Sequence, residues 1–148
     1  MNPILNKKDF EDLTTNLKDL AYSYLEKYSP SKQQLKVYLL KKYLTKFRGS
    51  ENKKSVSKII DEIVFNLEKN KLLNDEIYSD SKARIFLRRG YSLNKINKSL
   101  RGQGIEENYV KNSLQKIKDN NIDPDFVSAL KLCKKRRIGP MRPEENRQ

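Results

Sequence analysis

The chain has 148 residues, with 32 Lys and Arg against 19 Asp and Glu, no His, no Trp, one Cys, 34% charged residues and 36% hydrophobic ones. Lacking imidazole and a cysteine pair, it has no histidine acid–base chemistry, no ordinary ligand set for zinc or haem iron and no internal disulfide, and no cofactor is indicated. A net charge of +13 directs attention to phosphate backbones or an acidic protein surface, while apolar runs of only a few residues give neither a membrane span nor a signal-peptide core, so the expectation is a soluble, cytoplasmic monomer.

Apolar residues recur at three- and four-residue steps, the helical period, which predicts an all-α fold. Phe10, Leu13, Leu17, Leu20 and Tyr24 form the stripe of a first helix that Ser29-Pro30 ends near Tyr28. Ser31-Lys32-Gln33-Gln34 has the form of a capping box and opens a second helix with Leu35, Tyr38 and Leu39 on one face. The polar stretch Thr45 to Lys54 reads as a loop. Ile59, Ile60, Ile63, Val64 and Leu67 then mark a third helix, which gives way at Asn70-Lys71.

The pattern returns. A shift of 61 lays Leu25 on Phe86, Ser31 on Ser92, Leu35 on Ile96 and Leu39 on Leu100; a shift of 50 lays Ile60 on Val110, Val64 on Leu114, Leu67 on Ile117 and Asp75 on Asp125. Residues 1–70 therefore read as a first three-helix repeat with an N-terminal extension and an inserted loop near 45–54, and residues 71–120 as a second. Residues 121–148 read as the first helix of an incomplete third repeat followed by an irregular basic tail. That helix is capped by Asp123, begins at Pro124 and carries Phe126, Val127, Leu130 and Cys133 as its apolar face. Because units of about 50 residues bury little alone, the expected architecture is a tandem array of three-helix repeats, elongated and curved.

Charge follows the repeat. Residues 27–50 hold seven basic residues and no acid, 51–80 five basic and seven acidic, and 81–105 seven basic and none acidic. Compositional drift alone would not make lysines avoid acids in two windows related by a repeat, so these windows point to a functional basic surface rather than solvated helix faces. Its centre is expected at Arg84, Arg88, Arg89, Lys95, Lys98 and Arg101, supported by Lys134, Lys135, Arg136 and Arg137, with a secondary track at Lys32, Lys36, Lys41 and Lys42. The clusters near helix C-termini have a second cause, since cations there are favoured by the helix dipole.

Other constellations fall short. Gly102-Gln103-Gly104 lacks the rest of a dinucleotide fingerprint and reads as a helix end followed by Ile105. Adjacent acids such as Asp75-Glu76 do not face each other on a helix, which argues against a metal-dependent nuclease. Cys133 fits a small buried side chain better than a reactive thiol. Tyr22, Tyr24, Tyr28, Tyr38 and Tyr43 could stack on unpaired bases, although half-buried packing between helices fits them better.

The order Ser31-x3-Leu35-x3-Leu39, Leu72-Leu73-Asn74-Asp75-Glu76-x-Tyr78, Arg88-Arg89-Gly90-Tyr91-Ser92-x3-Ile96-x3-Leu100 and Gly104-Ile105 resembles the RecX family of bacterial recombination regulators over about residues 20 to 140. The resemblance implies a non-enzymatic protein of tandem three-helix repeats. It would bind the groove of the RecA filament, contact single- or double-stranded DNA weakly, and suppress ATP hydrolysis, strand exchange and co-protease activity, so modulating DNA repair and the SOS response. The alternative is a nucleic-acid-binding helical module acting independently of RecA.

Overall fold

A computed structural model describes residues 7–46 and 53–139. These residues form seven α-helices: α1 (Lys7–Tyr28), α2 (Lys32–Lys46), α3 (Lys53–Lys69), α4 (Asp75–Arg88), α5 (Leu93–Gly102), α6 (Glu107–Asn120) and α7 (Pro124–Arg136). No strand occurs among the described residues, and the expected all-α fold is the observed one. The chain divides into two compact units, Met1–Asp75 and Glu76–Gln148, each with its own core.

In the first unit α1 packs on α2 and α3, and α2 on α3. The α3 stripe Ile59, Ile60, Ile63, Val64 and Leu67 is buried along its whole length, together with Leu13 and Leu17 of α1 and Leu35, Leu39 and Tyr43 of α2. Burying a side chain of this size stabilises by about 1.5–3 kcal/mol, so one continuous apolar face per helix holds the unit together. Ser31 and Gln34 close a reciprocal capping box: Gln34 N donates to Ser31 Oγ at 3.2 Å, and Ser31 N donates to Gln34 Oε1 at 3.1 Å. The expected loop from Thr45 to Lys54 is shorter at both ends, because α2 runs on through Lys46 and α3 starts at Lys53. Thr45 Oγ1 donates back to the Lys41 carbonyl at 2.8 Å and so stays inside the helix. The rest of that loop, and the basic tail from residue 140 onwards, lie outside the described residues.

In the second unit α5 packs on α6 around Ile96, Leu100, Ile105, Val110 and Ile117. A polar seam joins α4 to α6: the Ser79 and Ser113 hydroxyls lie 2.8 Å apart, and Ser113 Oγ donates to Asp80 Oδ1 at 2.6 Å. Lys116 Nζ lies 2.6 Å from Asp80 Oδ2. Burial raises the Asp80 carboxyl, but the hydrogen bonds from Lys116 and Ser113 and the charges of Lys116 and Arg84 outweigh it and hold Asp80 below the ordinary carboxylate range.

Both units use one long-range device. Asp75 Oδ1 accepts from the backbone N of Lys32 at 2.8 Å, and Asp125 Oδ1 accepts from the backbone N of Leu93 at 2.7 Å. Lys32 and Leu93 each follow the N-terminal serine of a helix, so an aspartate at the start of α4 or α7 accepts from a first-turn N–H of α2 or α5 that has no partner within its own helix. This role accounts for Asp75, a carboxylate only 3% exposed, in structural terms.

The third-repeat helix differs from expectation. Asp123 does cap it, accepting from Phe126 N, and Pro124 is its first residue. The expected apolar face, however, is open: Phe126 is 59% exposed, Val127 and Leu130 are exposed as well, and Cys133 is half-buried. The buried positions are Pro124 and Ser128. The reason lies in Gly90, at φ +86, where an added Cβ would come within 3.3 Å of the Ser128 carbonyl and 3.6 Å of Leu132 N. Helix α7 thus docks through backbone and small residues, and the larger ones point elsewhere.

Candidate functional site

The site is built on the turn that ends α4. Gly90 N donates to the Leu87 carbonyl at 3.0 Å and Tyr91 N donates to the Phe86 carbonyl at 3.0 Å, the bond pair of a glycine-terminated helix. The Tyr91 ring stacks on Phe86 at 5.0 Å between centroids with the planes 1° apart, which fixes the turn. Ser92 then starts α5 at once, its hydroxyl accepting from Lys95 N at 3.2 Å.

Several cationic residues stand on or beside this turn. Arg88 and Arg89 precede Gly90 and are exposed. Lys95 Nζ sits 3.9 Å from the centroid of Tyr91, a cation–π contact that holds it over the turn. Lys131 of α7 starts beside the turn, its Cβ 3.6 Å from where a Cβ at Gly90 would stand, and its side chain is exposed. Lys131 was missed in the sequence; its only signal there was a spacing of one helical turn from Lys134 and Lys135.

The remaining expected residues divide. Lys98 is exposed one turn beyond Lys95, on the side of α5 away from buried Ile96 and Leu100. Arg101 continues that stripe but is tied by its Nη2 to Glu107 Oε1 at 3.0 Å. Hydrogen bonding to Lys111, the charges of Lys111 and Arg101 and a hydrogen bond from Arg101 lower the Glu107 carboxyl, against a small opposing effect of burial. Arg84 lines two adjoining depressions. One, of about 190 Å³, is shared with Asp80, Leu87, Ser113, Lys116 and Ile117; the other, of about 470 Å³, is shared with Ser81, Ile85 and Arg88. Lys134, Lys135 and Arg136 are exposed on the last turn of α7. Arg137 follows in a left-handed conformation, its N–H directed at the Cys133 and Lys134 carbonyls.

The secondary track is arranged differently from the α5 stripe. Lys32 and Lys36 turn towards α3, where they pair with Glu68 at 3.1 Å and Asp61 at 2.9 Å. Lys41 and Lys42 are exposed further along α2. Counted from the capping serines, Lys32 and Lys36 stand at positions one and five, whereas Lys95, Lys98 and Arg101 stand at three, six and nine. With 3.6 residues per turn Lys32 and Lys36 lie on a different stripe, whereas Lys41, at position ten, falls on the stripe of Lys95 and Lys98, so the two helices share their apolar pattern but only part of their cation pattern.

Chemically, the α4–α5 turn offers exposed guanidinium and ammonium donors suited to carboxylates or phosphates. Among the described residues no group of three or more Cys, Asp or Glu is placed to hold a metal ion, and no helix is long and apolar enough to cross a membrane.

Over 141 residues the chain is 32% identical to the Regulatory protein RecX of Myxococcus xanthus (strain DK1622), an alignment that spans 90% of this chain and 73% of that protein. No family model and no solved structure matches the chain.

Proposed function

This chain belongs to the RecX family of regulatory proteins, and from that premise we propose that it is a negative regulator of RecA that binds the RecA–DNA filament through the basic turn between α4 and α5. It is a regulator and not an enzyme. The observation that carries the proposal is that exposed Arg88 and Arg89 and the Lys95 ammonium over Tyr91 stand on one turn whose backbone is fixed by the paired bonds to the Leu87 and Phe86 carbonyls and by the Phe86–Tyr91 stack, which lowers the ordering cost of binding.

Docked in the filament groove, such a surface meets the acidic side chains of the recombinase or the phosphates of its DNA. Several individually weak charge contacts act together, and affinity falls as salt rises. Occupying the groove opposes the subunit rearrangements that ATP hydrolysis and strand exchange require. It also obstructs the access needed for co-protease activity, which couples the protein to DNA repair and the SOS response. Lys98 and the α7 cations Lys134 to Arg137 extend the same surface; Arg84 and Arg101 act mainly by positioning neighbouring groups, since each already faces a carboxylate.

The test is RecA ATPase on single-stranded DNA with increasing amounts of this protein. Inhibition at concentrations well below that of RecA supports filament regulation. Tight binding to naked DNA with no effect on the ATPase would contradict it and point to a nucleic-acid-binding module acting without RecA.

A further inference from the structure

The first unit carries an aromatic and basic cluster that the proposed filament contact does not use. Tyr24 of α1 stacks on Tyr38 of α2 with centroids 4.0 Å apart and planes at 13°, and Tyr28 lies 4.9 Å from Tyr24 at 44°. The ladder runs from two half-buried rings to one that is 58% exposed. Lysines flank both ends: Lys27 Nζ is 5.2 Å from the Tyr28 centroid, and Lys42 Nζ is 5.7 Å from the Tyr38 centroid.

We propose that Tyr28, held against Tyr24 with Lys27 beside it, is a base-stacking platform for single-stranded DNA. Core packing explains Tyr24 and Tyr38, which lie against the apolar cluster of the first unit. It does not explain Tyr28, whose ring projects into solvent at the end of α1 beside Ser29, at φ 43, and the buried Pro30. A ring already braced by a tilted neighbouring ring loses less freedom when a base stacks on it. Every base offers a π-face, so the contact is tolerant of sequence, and neighbouring ammonium groups supply the attraction to the backbone. A duplex keeps its base faces stacked internally and offers Tyr28 none. This inference goes beyond the α4–α5 contact and stands or falls separately from it.

The experiment is fluorescence anisotropy with a labelled oligothymidylate, its duplex counterpart and an abasic oligonucleotide of equal length and charge, using the full chain and Tyr28→Ala and Tyr28→Phe variants. Because Tyr28 is mostly exposed, circular dichroism of Y28A should match the parent. The expected result is that Y28A weakens oligothymidylate binding about fivefold or more, that Y28F stays within about twofold because it keeps the ring, and that abasic and duplex affinities do not change. An unchanged oligothymidylate affinity in Y28A, or an abasic strand bound as tightly as oligothymidylate by the parent, would overturn the proposal. Inhibition of RecA ATPase by an Arg88, Arg89 and Lys98 charge-reversal variant reports on the other surface, so the two failures are distinguishable.

Discussion

Replacing Gly90 with alanine tests whether the α4–α5 turn is as tightly determined as its geometry indicates. Two costs combine. A residue with a Cβ in the left-handed region is disfavoured by roughly 1–2 kcal/mol, and Gly90 sits at φ +86. The new methyl would also meet the Ser128 carbonyl at 3.3 Å, and because that oxygen is backbone within α7, relieving the contact means shifting the helix, at a cost at the low end of the ~1–3 kcal/mol range for overpacking. The sum is about 2–3 kcal/mol, which for a chain of this size lowers Tm by roughly 4–12 °C. Thermal melts followed by far-UV circular dichroism, with urea titration as a second probe, measure it. Gly102→Ala is the internal control: Gly102 is in the last turn of α5 with no atom within 4 Å of an added Cβ, so that change should stabilise, by about 0.5 kcal/mol. A Gly90→Ala protein that melts with the parent would refute the reasoning, and would mean that α7 does not dock on this turn.

Other expectations concern caps and charge. Asp75→Ala removes the acceptor for Lys32 N and should destabilise by about 1–2 kcal/mol in urea unfolding, more than Asp125→Ala, because Asp75 is buried and Asp125 is exposed. Lys71→Gly should stabilise by about 0.5–1 kcal/mol, since Lys71 holds φ 58 at the end of α3 where glycine is at ease. The Asp80 carboxyl is depressed in the folded protein, so the unfolded chain binds its proton more readily; the stabilisation is complete above the unfolded carboxylate value of about 4 and is lost as pH falls through the lower folded value. Asp80→Asn should therefore flatten the acid limb of a stability–pH profile, and an unchanged limb would contradict the assignment.

Local signals were the legible ones. The Ser31–Gln34 capping box, the helix end at Gly102 to Gly104 and the buried α3 stripe each depend on residues within a few positions of one another, where the sequence pattern and the physical cause coincide. Ile105 N reaches back to the Leu100 carbonyl at 3.3 Å, the bond that a glycine at φ +78 makes available. The open face of α7 was not legible, because a periodic stripe states which side of a helix is apolar, not whether anything covers it. For the same reason the cations could be counted but not apportioned: Lys32 and Lys36 are drawn to acids on α3 and Arg101 to Glu107, and the placing of the Lys131 stem beside Gly90 follows from the fold alone. The correspondence of Asp75 with Asp125 was visible as a repeat, yet the bonds that explain it reach across 43 and 32 residues.

The central claim is that the basic α4–α5 surface carries the regulatory contact, and the most direct measurement is RecA ATPase on single-stranded DNA in the presence of the Arg88→Glu, Arg89→Glu, Lys98→Glu protein. All three side chains are exposed, so the variant should keep the helical content of the parent. The account predicts that the concentration for half-inhibition rises at least tenfold, roughly the loss of 1.4 kcal/mol or more of binding. Inhibition equal to that of the parent would contradict it.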